Sequence, residues 1–126
     1  MGDPELPASG TFSIDPSALE LEPAPLDPSQ ILEGSPSVSE RVVWVSEDGR
    51  QARGVWQITP GVVTDVEVDE VFVVVSGRAT IEVEDGPTVD VGPGDLCVLE
   101  PGARTTWRVH ETLRKVFHVT IAADED

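Results

Sequence analysis

A chain of 126 residues is enough for one ordinary domain, and 24 Asp and Glu against 8 Lys and Arg give it a formal charge of -16. That balance excludes the basic footprint of a nucleic-acid binder and argues against docking on an anionic membrane surface. A single cysteine, Cys97, excludes an intrachain disulfide framework, and no apolar run approaches the roughly 20 residues of a membrane-spanning helix.

In chain order, residues 1–23 are an acidic, Pro-rich segment without Lys or Arg, which reads as flexible. It lacks the basic and apolar regions of a signal peptide, so cytoplasmic residence is the expectation. Pro23, Pro25 and Pro28 forbid a continuing helix or a central strand. Leu21, Leu26, Ile31 and Leu32 suit an extended arm laid along the domain, with one turn of helix over 27–32. Beyond Arg41, short β-branched runs alternate with Gly and Pro turns. Strands are expected over 41–46, 52–59, 69–75, 79–84, 88–91, 96–99, 105–110 and 113–121. The valines of 69–75 stand on both faces, and 96–99 is apolar throughout, so both runs read as buried. The domain is taken as 24–121, followed by an acidic tail over 122–126. Eight or so strands and no amphipathic helix imply an all-β sandwich, closed barrel or jelly roll. An immunoglobulin-like sandwich is the alternative, without its usual Cys–Trp–Cys spacing.

The turn spacing is more specific. Glu70 stands seven residues before Gly77, and Pro93-Gly94-Asp95 is answered by Pro101-Gly102. These two motifs, at this separation, resemble those of the cupins. Gly54-Val55-Trp56, Thr59-Pro60-Gly61, Asp69-Glu70-Val71-Phe72 and the run from Thr106 to Val116 narrow the likeness. They are similar to the small single-domain cupins akin to ureidoglycine aminohydrolase cupin domains and ethanolamine-utilisation Q-type proteins. The likeness spans roughly residues 24–120. It implies a cupin jelly roll, the double-stranded β-helix barrel, with an extended N-terminal arm, associated as a homodimer. Strand parity puts Glu70, Phe72 and Val74 on one face, which in the resembled fold looks into the barrel.

Metal-binding cupins use two His in an H-x-H, the motif Glu, and a third His. Here the H-x-H positions hold Glu67 and Asp69, or Val63 and Asp65, or Thr64 and Val66, according to register. The third His position holds Thr105. The chain's two histidines, His110 and His118, lie outside the motifs and read as structural. No metal and no cofactor is therefore expected. An oxygen-only site for a hard divalent cation, built from Glu70 with Asp65, Glu67 or Asp69, is the alternative.

The candidate ligand pocket is Trp56, Asp65, Glu70, Phe72, Arg104, Thr105, Trp107 and Lys115. The tryptophans are pocket walls or core, and Phe72 leans towards core. Lys115, the sole lysine, lies by parity on an apolar face and would pair with Glu70 or Glu100. Arg104 would meet an anionic ligand at the barrel mouth. Cys97, in an apolar strand, reads as an inert buried thiol. The function expected is binding of a polar small molecule in the barrel. One alternative, implied by the resemblance, is an enzyme of aminohydrolase or isomerase type. It would act on small nitrogen-containing or sugar-like metabolites, with Glu70 as catalytic general base or metal ligand. The other is a purely structural dimerisation module.

Overall fold

The computed structural model describes residues 10–122. Nine strands follow in order: β1 (Glu22–Pro23), β2 (Ile31–Glu33), β3 (Val38–Val45), β4 (Gln51–Ile58), β5 (Gly61–Val66), β6 (Asp69–Val83), β7 (Thr88–Val91), β8 (Leu96–Leu99) and β9 (Arg104–Thr120). A single 3-10 turn, Pro28–Gln30, precedes β2. No helix among the described residues is long and apolar enough to cross a membrane.

The frame is the antiparallel pair β6 and β9, of 15 and 17 residues. The first half of β6 carries β8 on its free side, and the second half carries β7. The first half of β9 passes to β5 and then β2, and its second half to β4, β3 and β1. Two sheets thus share one pair of strands and fold over one another at its midpoint, which makes a jelly roll. Between them lie Ile58, Phe72, Val74, Ile81 and Leu113, all nearly or fully buried. Each such side chain contributes about 1.5–3 kcal/mol by leaving water.

The fold lies where β6 and β9 change register, between Val74 and Ala79. Gly77 sits there at φ +89°, and a Cβ on it would collide with the Thr112 carbonyl oxygen. This explains one difference from the sequence reading. Ser76-Gly77 and Glu111-Thr112 were expected to end strands, giving 69–75 and 79–84, and 105–110 and 113–121. They are instead the bulged bend within two continuous strands. The strand β5, beyond Pro60-Gly61, was not expected, nor were the short β1 and β2.

Two burial expectations are corrected. Val73 in β6 is 40% exposed, and Leu96 and Val98 in β8 are 63% and 66% exposed. One face of each strand packs inward, through Phe72, Val74, Cys97 and Leu99, while the other is the outer surface of the roll.

Residues 1–9 of the acidic segment expected to be flexible and 123–126 of the expected tail lie outside the described residues. From Asp15 the arm is docked. Leu19 is buried, Arg114 Nη1 donates to the carbonyls of Pro16 and Leu19 at 2.9 and 3.0 Å, and Ala24 N–H donates to Val38 O at 2.9 Å. The turn expected over 27–32 shortens to the 3-10 turn because Asp27 and Gln30 form a capping box around it. Ile31 then enters β2.

Candidate functional site

Register places the site. In the β4–β9 ladder Trp56 lies opposite Lys115. In the β6–β9 ladder Val74 lies opposite Lys115, and Glu70 stands four residues earlier on the same face. In the β5–β9 ladder Val63 lies opposite Trp107 and Asp65 opposite Thr105. Residues from all four strands therefore turn inward at one end of the roll.

Lys115 Nζ lies 2.8 Å from Glu70 Oε2, with the side chains 6% and 8% exposed. The same ammonium stands 4.3 Å from the ring centroid of Trp56, 4.4 Å from that of Phe72 and 4.9 Å from that of Trp107. A charge at this depth is costly unless neutralised. Here a carboxylate neutralises it directly, and three π-faces add cation–π attraction of about 0.5–2 kcal/mol each. Burial pushes the Glu70 carboxyl above its ordinary value, Lys115 pulls it back down, and Glu67 and Asp65 push it further up.

Glu67, also buried, accepts from Thr105 Oγ1 at 2.6 Å and from Trp107 Nε1 at 3.0 Å. Both bonds fall on Oε2, and they fix the indole that forms one wall of the lysine cage. Asp65 stands at the rim, its carboxyl raised by partial burial and by the charge of Glu67. It accepts from Val66 N–H at 2.8 Å. Gln30, brought by the arm, closes the rim by donating Nε2–H to Thr64 O at 3.0 Å.

Around this pair is a cavity of about 170 Å³, lined by Gln30, Glu40, Trp56, Asp65, Glu67, Glu70, Trp107 and Lys115, with Leu26, Val63 and Phe117 among its apolar wall. A larger, shallow cleft of about 630 Å³ lies beyond the rim and shares Gln30, Thr64 and Asp65 with it. That cleft lacks the lysine, Glu70 and both tryptophans, so the chemistry belongs to the smaller space.

Of the residues expected at the pocket, Trp56, Asp65, Glu70, Trp107 and Lys115 line the cavity. Phe72 lies behind the lysine as part of the core. Thr105 reaches the cavity only through Glu67, and Arg104 lines the outer cleft instead. Glu100 is exposed and takes no part. Sequence reasoning left Glu40 and Gln30 out of the pocket. Glu40 lies opposite Trp56, and the parity of Val38 and Glu40 was its signal, missed because that strand was started at residue 41. Gln30 had no such signal, since the arm's path sets its place.

The remaining candidates face elsewhere. His110 Nε2 is 2.9 Å from Thr80 Oγ1 on the outside. His118 Nδ1 accepts from Arg53 Nε at 3.0 Å, and its ring stacks on Trp44. Cys97 is buried, and burial pushes its thiol up.

The donor set does not fit the metal centre of metal-binding cupins. Glu70 is engaged by an ammonium, which would repel a second cation at the same carboxylate. Glu67 is committed to Thr105 and Trp107. Among the described residues no group of three or more His, Cys, Asp or Glu is placed to hold a metal ion.

The family model of EutQ-like cupin domains matches residues 45–117. A Pseudomonas syringae protein of unknown function from the DUF861 family superposes with a TM-score of 0.78 at 28% identity, covering 90% of this chain and 49% of that one. This chain thus spans about half the length of that relative. The Clostridium difficile EutQ protein superposes at 0.66 with 20% identity, covering 89% of this chain and 88% of that one. Ectoine synthase from P. lautus gives 0.59 at 20% identity, covering 72% and 68%. The last two likenesses show the fold alone. No curated protein matches the sequence.

Proposed function

The chain belongs to the family of EutQ-like cupin domains, and we propose that its barrel receives one small polar molecule, neutral or positively charged. The observation that carries the reading is the cavity wall. Two tryptophans and the carboxylates of Glu40, Asp65 and Glu67 surround the caged Lys115–Glu70 pair. Flat aromatic faces supply area, and a few fixed polar groups supply orientation. At about 170 Å³ the space falls below the roughly 300–1,000 Å³ of drug-sized pockets, so a ligand of a few heavy atoms fits it and a nucleotide does not. Four carboxylates against one ammonium disfavour an anion.

Thermal unfolding in the presence of a panel of small amines, polyols and amino alcohols tests this. A true ligand at 100 times its dissociation constant adds about 2.7 kcal/mol and raises the midpoint. It does so in the parent protein and not in Trp56→Leu. A panel that moves neither midpoint, with small anions moving both, would overturn the reading.

The outer surface favours a second role beside the first. Val73 lies in register between Leu96 and Val116, Val98 follows Leu96 on the same face of β8, all four are exposed, and β8 pairs only with β6 among the described strands. An apolar face ending in a free strand edge invites a matching partner, and a second copy of this chain is the proposed occupant.

A further inference from the structure

The chain places seven of its eight basic residues as arginine and uses lysine once, at its most buried basic position. For a purely structural ion pair with a carboxylate, arginine is the better residue: it is always charged and forks onto both oxygens. What lysine offers in exchange is an amine that can give up its proton. Here that amine lines a cavity, and its proton acceptor lies 2.8 Å away.

From this geometry we infer that Lys115 forms a Schiff base with small neutral aldehydes or ketones that enter the barrel, with Glu70 moving the protons. The inference rests on the reading of the barrel as a binding site and adds a covalent step to it. Lys115 passes one proton from Nζ to Glu70 Oε2, and the ion pair becomes a neutral amine and a carboxylic acid. The amine nitrogen attacks the carbonyl carbon. A C–N bond forms, the C=O π-electrons move to oxygen, and a proton shifts from nitrogen to that oxygen to give the carbinolamine. Glu70 then protonates the hydroxyl, the C–O bond breaks, water leaves, and the nitrogen lone pair closes the C=N bond. The product is an iminium beside a carboxylate. One carbonyl compound is consumed, one water is released, and nothing is oxidised or reduced.

The surroundings suit both ends of the step. Ammonium and iminium each carry one positive charge, so the contact with Glu70 and the faces of Trp56, Phe72 and Trp107 serve the cation before and after reaction. Burial raises the Glu70 carboxyl above its ordinary value, which helps it to hold the proton between the two transfers.

Being the only lysine, Lys115 makes the test unambiguous. The full chain is incubated at neutral pH with glycolaldehyde and sodium cyanoborohydride, with N-α-acetyl-lysine in the same tube as reference amine, and peptides are read by mass spectrometry. Lys115 is expected to be alkylated faster than the reference. The rate should saturate with aldehyde and fall about a hundredfold in Glu70→Gln, the lower range for loss of a general acid–base. Lys115→Arg, which keeps the charge and removes the amine, should gain no adduct at that position. It serves as the control if Glu70→Gln fails to fold. Labelling no faster than the reference, or a rate that never saturates, overturns the inference. If the polar panel still raises the midpoint while Lys115 stays unlabelled, the binding site stands and the covalent step alone fails. If neither occurs, both fail.

Discussion

Replacing Lys115 with methionine keeps the bulk of the side chain and removes its charge, leaving Glu70 buried beside three aromatic rings. In the native protein the pair is 2.8 Å apart with both side chains under a tenth exposed, so solvent contributes little to screening it. Breaking a buried pair from one side costs about 3–5 kcal/mol, against a total stability of about 5–15 kcal/mol for a domain. At roughly 4 °C per kcal/mol, the midpoint falls by about 12–20 °C. The loss depends on pH. Burial already holds the Glu70 carboxyl above its ordinary 4.5, and Lys115 is the chief influence pulling it down. Without the lysine it rises further. A carboxyl with a higher pKa folded than unfolded binds its proton better in the native state, so stability falls as pH rises between the two values. Lys115→Met is therefore weakest near neutrality and recovers as pH approaches 4.5. Adding Glu70→Gln removes the stranded charge and restores most of the loss, giving a coupling energy of about 2 kcal/mol or more. Urea unfolding of the four proteins at pH 5 and pH 8, followed by circular dichroism, measures this. Additivity within about 0.5 kcal/mol, with a loss equal at both pH values, would refute the reasoning.

Three further outcomes are expected. Gly77→Ala should destabilise by about 1–3 kcal/mol or more, because φ is +89° and the new methyl meets the Thr112 carbonyl; a neutral result in urea would mean the bend is not built this way. Thr105→Val removes one of the two donors to the buried Glu67 and should cost about 1.5–3 kcal/mol, with a shift in the fluorescence of Trp107 that Thr106→Val does not produce. In sedimentation, Val98→Asp should convert a dimer of the parent chain to monomer without loss of β-sheet signal; a monomeric parent would remove the second copy from the outer face.

Much of this was legible in the sequence. The glycine and proline punctuation gave an all-β sandwich, barrel or jelly roll, because corners of a tightly folded sheet need backbone angles that few other residues tolerate, and the resemblance to the cupins chose the jelly roll among them. Parity put Glu70 and Phe72 on one face and Lys115 on an apolar face, the resembled fold turned the first of these faces inward, and the structure joins the three residues. What parity could not give was the distinction between a turn and a bulge. Gly77 serves either purpose, and only the partner strand decides that β6 continues through it. Outer-face exposure was misread for a related reason: a run such as Leu96–Leu99 is apolar on both faces, and nothing local says which face the sheet will leave open. Glu40 and Gln30 escaped because their places depend on β3 pairing with β4 and on the arm crossing the rim, both long-range events.

A chain with one lysine permits a direct measurement of the caged amine. In protein labelled with ¹⁵N-lysine, the account predicts a single ammonium resonance that exchanges slowly with water at neutral pH. Ring currents of Trp56, Phe72 and Trp107 should displace it from the free amino acid's position, and any molecule that enters the barrel should move it saturably. A resonance at the free-lysine position, broadened by rapid exchange and indifferent to Glu70→Gln, would contradict it.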